Sequence, residues 1–293
     1  MTNQKRIKLV NWSMLLPSIA LLFFVFGLPL IKNIQLSLTD AKFIEKADFI
    51  ALENYVKLLT REDFYNALRV MLIYTVCYTI GIFVVGFATS LLLEHNPLRR
   101  GKSFFRTMYV LSYAVPDIVT ALIFTWIFNY NYGVVNYFLA QIGIIQAPIN
   151  WLNSSEQALY TIVLIEIWRQ FPLHTLVIYA GFQEVPGELY ESAEIDGAGG
   201  LRKFFSITIP HLSQILSTLL ILTIIWSFRR FAMIWSLTKG GPSGATETVV
   251  IQIYKNAFVD NKMGLACATG VVMLIITLLI VRLYMKVIKR SSE

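Results

Sequence analysis

The sequence predicts an all-α, polytopic membrane fold with six transmembrane helices, and three observations carry that prediction. The 293 residues are 56% hydrophobic and only 15% charged, with a mean hydropathy of +0.61, about ten points less charge than a soluble domain carries. Apolar runs near 20 residues recur at about 12–31, 69–93, 107–128, 158–180, 212–236 and 265–285, the length that crosses a hydrocarbon core of roughly 30 Å. With both termini placed in the cytoplasm and residues 282–293, Arg282 included, counted as the inner end, the inner connections hold 13 of the 25 Lys and Arg, the outer ones 8 and the spans 4, which satisfies the positive-inside rule. The net charge of +7 is therefore topology rather than a nucleic-acid surface, because the basic residues lie between apolar segments.

The first run, Trp12 to Ile31, follows Lys5, Arg6 and Lys8 as a signal peptide would. It is too long and has no small-x-small cleavage site, so it is expected to stay as span one. In the segment 32–68, Phe49, Leu52, Tyr55, Val56 and Leu59 recur at helical spacing and predict a short amphipathic helix at the outer membrane surface. Pro17, Pro29, Pro116 and Pro172 fall in or beside apolar runs, where neighbouring helices can re-satisfy the freed carbonyls. The connection 129–157 has no Lys or Arg but carries Tyr130, Tyr132, Tyr137 and Trp151, the aromatic enrichment of an interface. Cys77 and Cys267 sit in apolar stretches and read as small core residues, not as a disulfide or a metal site. Nothing suggests a separate soluble domain, so residues 1–293 are expected to form one transmembrane domain.

The connection 181–211 is the most informative segment. Pro186 suits a helix start, Gly197, Gly199 and Gly200 interrupt the helix where a positive φ is needed, and Leu201, Phe204, Phe205 and Ile207 then offer apolar contacts before Pro210 fixes the entry into span five. The plain alternative is a loop that caps two spans. An amphipathic connection of this size, however, needs a partner for its apolar face.

This segment resembles the EAA loop of binding-protein-dependent ABC importer permeases. The family pattern of Glu-Ala-Ala, three residues, Gly, nine residues and Ile-x-Leu-Pro is matched by Glu191-Ser192-Ala193, Gly197 and Ile207-Thr208-Ile209-Pro210. The departures, Ser192 and Ile209, change little in bulk. Phe49 to Tyr55, Phe105-Arg106 with Pro116, Gly133 to Asn136, Leu237 to Pro242, Thr246 to Thr248 and Tyr254 to Phe258 are similar, in order and spacing, to the sugar-importer branch. Ala51 in place of the usual Gly, and Arg229-Arg230 where a neutral or acidic residue is usual, depart from it and bear on substrate type. The resemblance implies a type I importer permease whose loop docks on a cytoplasmic ATPase, with Glu191, Ser192, Ala193, Asp196, Gly197, Ala198 and Phe204 as coupling residues. It further implies a second homologous permease subunit, two ATPase subunits that bind ATP and Mg, and an extracytoplasmic solute-binding protein. That protein would meet the outer connections, including 129–157 and Lys239-Gly240-Gly241-Pro242. The substrate would be a sugar or oligosaccharide, with acidic, uronate-containing ones included. The latter loop is equally readable as a plain surface turn.

The chain itself carries no recognisable catalytic apparatus. Gly101-Lys102-Ser103 invites a P-loop reading, but the earlier glycine would fall at Asn96, so Lys102 belongs with Arg99 and Arg100 as topology-setting charge. His95, His174 and His211 are too dispersed for a metal site. An intramembrane enzyme built on Asp117 and Glu166 stands as the outlying alternative.

Ionisable residues at bilayer depth are costly and mark function or pairing. At 100° per residue, Glu166, Arg169, Gln170 and Leu173 share one stripe of span four, Tyr113, Pro116, Asp117 and Thr120 one of span three, and Thr223, Trp226, Ser227 and Arg230 one of span five. Tyr113, Asp117, Glu166, Arg169, Trp226, Ser227, Arg229 and Arg230 are the expected lining of a substrate path. Two acids against four Arg, Arg69 among the four, leave an excess of +2 in the spans. Arg230, with Arg169, is expected to accommodate a sugar carboxylate, with Trp226 and Tyr113 as stacking faces. The competing readings are a Glu166–Arg169 pair at i,i+3 and snorkelling of Arg229 and Arg230 to the interface. The rival class, a secondary transporter or channel driven by an ion gradient, predicts inverted repeats and broken helices, and the sequence displays no convincing internal repeat.

Overall fold

The computed structural model describes residues 3–42, 47–94, 107 and 110–291. His95, the Gly101-Lys102-Ser103 tripeptide and Phe105-Arg106 lie outside the described residues. The regular secondary structure of the described residues is helical apart from a bridge between Thr39 and Phe49. In order, its helices are α1 (Asn3–Leu22), α2 (Leu28–Ser37), α3 (Glu53–Leu59), α4 (Glu62–Glu94), α5 (Asp117–Ile127), α6 (Val134–Gln141), α7 (Ala158–Glu184), α8 (Gly187–Ile195), α9 (Gly200–Lys203), α10 (Ile209–Phe228), α11 (Ala232–Thr238), α12 (Val249–Tyr254) and α13 (Met263–Ser291). Single π-type turns join α1 to α2 and α9 to α10, so helical geometry is continuous through each pair.

Five segments among the described residues are long and apolar enough to cross a membrane: Met14–Ser37, Glu62–Glu94, Ala158–Glu184, Gly200–Phe228 and Met263–Lys286. They correspond to expected spans one, two, four, five and six. The expected continuous third span, 107–128, differs: residues 110–114 are helical, the chain bends at Val115-Pro116, and α5 begins afresh at Asp117. Proline supplies no N–H to the preceding turn and disfavours the helical region for the residue before it. Span five also ends earlier than the expected 212–236, because α10 stops at Phe228 and α11 resumes at Ala232. Span two, by contrast, starts before its apolar run, since Glu62 and Asp63 occupy the first turn of α4 and suit the positive end of the helix dipole.

The described chain divides into two compact units, Met1–Phe64 with Gln252–Leu278, and Tyr65–Ile251 with Leu279–Glu293. In the first, the end of α2 is held by polar side chains of α3. Asn54 Nδ2 donates to Ser37 O at 2.9 Å and to Thr39 O at 2.7 Å, and Ser37 Oγ meets the Tyr55 hydroxyl at 2.7 Å. These contacts satisfy the orphan carbonyls that end a helix. The expected amphipathic helix is present as α3, with Leu52, Val56 and Leu59 exposed on one side and Leu58 buried on the other. Gly264, in the first turn of α13, donates its N–H to Ala41 O at 3.0 Å, and a Cβ there would stand 2.0 Å from Thr39 O.

In the second unit, Val70, Tyr74, Tyr78 and Ile82 of α4 pack against Leu159, Ile162, Val163 and Ile167 of α7, with Ile234 of α11. Lower down, Ile178 and Phe182 of α7 meet Leu212 and Leu219 of α10. Apolar packing gains little against lipid, so hydrogen bonds between helices supply specificity. Thr89 Oγ1 meets Thr175 Oγ1 at 2.5 Å, Ser90 Oγ donates to Thr175 O at 2.9 Å, Thr75 meets Ser227 at 2.9 Å, and His174 Nε2 meets Thr223 Oγ1 at 2.8 Å. The connection after α5 is organised by buried Asn136, which exchanges bonds of 3.0 and 3.1 Å with the Ile149 backbone and accepts from Trp151 Nε1 at 2.9 Å. Tyr130, Tyr132 and Tyr137 there are exposed, in keeping with an interface.

Gly264→Ala and Gly187→Ala provide a paired check. The first drives a methyl into backbone and is expected to destabilise by about 1–3 kcal/mol, whereas the second meets nothing within 4 Å and should stay within about 0.5 kcal/mol. Thermal unfolding of the purified variants in detergent micelles reads the difference.

Candidate functional site

The two helix breaks meet beside α7. Breaking span three at Pro116 frees the Val115 carbonyl, and Arg169 Nε donates to it at 3.0 Å. The same guanidinium reaches Asp117, Nη1 to Oδ1 at 2.7 Å, in the first turn of α5 where a carboxylate also benefits from the helix dipole. In the second break, the Arg229 N–H donates to Trp226 O at 3.1 Å and the Arg230 N–H to Ser227 O at 3.3 Å, closing the end of α10. The Arg230 side chain turns inward, with Nε 3.7 Å from Glu166 Oε2 and Nη1 4.0 Å from Asp117 Oδ2. Gln170, with its amide carbonyl assigned toward the arginines, accepts from Arg230 Nη2 at 2.5 Å and from Arg169 Nη1 at 2.6 Å. Glu166 is 0% exposed and its oxygens have no hydrogen-bond partner among the described residues, so Arg230 compensates it through space. Two carboxylates and two guanidinia thus neutralise one another where a lone charge would be expensive.

On the open side of this network is a cavity of about 360 Å³ lined by Tyr113, Gln170, Leu173, Trp226, Arg229 and Arg230. A second, of about 480 Å³, shares Leu173 and Trp226 with it and follows α7 and α10 as far as Glu184. Of the expected lining, Tyr113, Trp226, Arg229 and Arg230 reach the cavity. Asp117, Glu166 and Arg169 instead form the network beside it, and Ser227 is buried against Thr75. The 100° rule misplaced the span-five stripe because the helix ends at Phe228: Arg230 does not continue the face of Thr223 and Ser227, and Arg229 joins the cavity despite its nominal angle. Arg169 pairs with Asp117 rather than with Glu166 on its own helix. The stacked Tyr74 and Tyr78 rings, 5.7 Å apart on α4, belong to the surrounding core and were legible only as an i,i+4 aromatic pair.

At the other end of α7 and α10, the connection 181–211 forms a helix, a turn and a second helix. Pro186 caps α8, Asp196 ends it, and Gly197 takes φ +74°. Gly197 N–H donates to Glu194 O at 3.0 Å and Ala198 N–H to Ala193 O at 2.8 Å, the paired bonds of a Schellman turn. Lys203 Nζ bonds Glu194 Oε1 at 2.5 Å and holds that carboxyl below the usual range, while the Tyr190 hydroxyl meets Thr208 Oγ1 at 2.8 Å. Glu191, Ser192 and Asp196 are exposed, and Ala193 and Ala198 half-buried. Phe204 turns inward beside Leu91, Phe182 and Tyr190. The outward apolar surface is Ile195 at 88% exposure, Leu201 at 79% and Phe205 at 65%. Ile195 escaped the sequence reading, although its place one residue before the Asp-Gly helix stop is visible there.

The profile of the family described as binding-protein-dependent transport system inner membrane component matches residues 86–292. The probable ABC transporter permease protein YurN of Bacillus subtilis is 33% identical over 294 residues, covering 100% of both chains. The trehalose/maltose transport system permease protein MalF of Thermococcus litoralis is 31% identical over 279 residues, covering 95% of this chain and 93% of that one. A solved bacterial ABC transporter involved in the import of the acidic polysaccharide alginate shares the fold, with a TM-score of 0.86 at 21% identity over 99% of each chain. A profile match over most of the chain and full-length similarity to permeases carry the conclusion: the chain belongs to the family of binding-protein-dependent transport system inner membrane components.

Proposed function

We propose that this chain is the membrane-spanning subunit of an ATP-driven importer for a sugar or oligosaccharide, uronate-containing ones included, delivered by a solute-binding protein. Its two compact units would work as one transmembrane domain with both termini in the cytoplasm. The observation that carries the reading is the 181–211 connection. A rigid Schellman turn presents three large apolar side chains to the outside, a surface that is stable in water only when covered. The partner would be a cytoplasmic ATPase that binds ATP and Mg and supplies the hydrolysis, and a second homologous permease would complete the path. Similarity to the MalF relative and the aromatic and amide groups of the cavity support a sugar as cargo. Glu191 and Asp196 would be polar contacts of the docked loop and Gly197 its hinge-fixing residue. Phe204, turned inward, would brace the loop rather than touch the ATPase.

Two measurements test this reading. Ile195→Glu with Leu201→Glu alters exposed positions, so folding should change by no more than about 0.5 kcal/mol each, while recovery of the ATPase with the tagged permease should collapse. Undiminished recovery contradicts the docking surface. Gly197→Pro removes a bonded N–H at a φ that proline cannot adopt. Reconstituted assemblies bearing it are expected to lose at least tenfold in ATP-dependent sugar uptake. Uptake that persists, and that instead vanishes when ionophores collapse the ion gradients, would establish the secondary-transporter alternative.

A further inference from the structure

Charge balance distinguishes the two adjacent arginines. Within the network, Asp117 and Glu166 oppose Arg169 and Arg230, each guanidinium within 4.0 Å of a carboxylate oxygen. Arg230 is further occupied by the Gln170 carbonyl. Arg229 is the remaining charge at this level: it is exposed, it lines the same cavity, and none of the residues lining that cavity is acidic. Its backbone N–H is tied to Trp226 O at 3.1 Å, and both residues line the cavity. Position at the carbonyl end of α10 suits a cation and accounts for the charge being tolerated; among the described residues no acid pairs with the guanidinium fork.

We propose that Arg229 is the specificity-determining residue for a carboxylate borne by the substrate, and that Arg230, neutralised from behind, is a positioning residue that holds the cavity wall. This rests on the importer reading above and replaces Arg230 with Arg229 as the group that meets the acid. A guanidinium binds a carboxylate through two parallel N–H bonds, and the Gln170 amide stands in the same wall. Trp226 and Tyr113 supply flat apolar faces for the C–H face of a pyranose ring. The adjoining cavity along α7 and α10 has room for further sugar units, which favours a short acidic oligosaccharide over a free carboxylic acid.

The test uses the purified full assembly in detergent. Binding of tri-galacturonate and of maltotriose is measured by titration, alongside ATP hydrolysis stimulated by the binding protein. For wild type, tri-galacturonate is expected to bind more tightly than maltotriose. Arg229→Gln should lower the acidic-to-neutral affinity ratio about tenfold, the loss expected for one charge-assisted contact. Arg229→Lys, a point charge without the fork, should restore part of the ratio. Arg230→Gln should weaken both sugars alike. A ratio unchanged by Arg229→Gln, a wild type that prefers maltotriose, or a ratio that falls with Arg230→Gln instead overturns the inference while stimulated hydrolysis is intact. If stimulated hydrolysis is missing from the wild type, the importer reading falls, and this inference with it.

Discussion

Much of the second unit depends on one arrangement: two arginines spanning two interrupted helices and two acids, Glu166 buried and Asp117 partly so. Pro116 breaks one helix and the Arg229–Phe231 stretch separates α10 from α11, and each break leaves backbone carbonyls that hydrocarbon cannot solvate. Arg169 satisfies one of them directly and reaches Asp117 in the same gesture. Arg230 answers Glu166, which has no other partner among the described residues. The short helices α5 and α11 pack on α7 through Ala121, Ile165 and Met233, so the ionic contacts fix where these outer pieces sit. Removing one member would strand a charge, which is why the network is a constraint rather than an optional source of stability.

The same two long helices that carry the network also carry the loop. Glu166 and Glu184 lie 18 residues apart on α7, roughly 27 Å at helical rise, and α10 returns over a similar length from the loop to Trp226. Between the ends, Ile178 and Phe182 pack on Leu212 and Leu219, and His174 is bonded to Thr223. A displacement of the Schellman turn therefore has rigid, interlocked elements through which to reach the cavity wall. Polar contacts at intervals, rather than apolar packing alone, keep the two helices in register.

Much of this could be read from residues in order. Pro186 and Gly197 marked the ends of α8 because their constraints are local, and the apolar runs located five spans because burial in lipid depends on composition. What stayed hidden was tertiary. The end of α10 at Phe228 is marked by neither Gly nor Pro, and Arg230 turns inward because Glu166 and Asp117 attract it, two residues that are distant in sequence. Pro116 was visible, yet whether it kinks or breaks a helix depends on Arg169 being present to take the freed carbonyl. Asn54 gave no signal as the clamp on the end of α2, since a single Asn in a charged connection resembles any other surface residue. The loop was legible at its turn and less so at its surface: Phe204 and Phe205 are neighbours, and the structure sends one inward and the other out.

The most direct measurement is a double-mutant cycle on Asp117 and Arg169, read as unfolding free energy of the chain in bicelles. If the part-buried pair holds the broken span in place, Asp117→Asn and Arg169→Gln should each cost about 1–3 kcal/mol, and the double variant should fall short of their sum by at least about 0.5 kcal/mol. Additivity within about 0.3 kcal/mol would show that the two side chains act independently and would contradict the account.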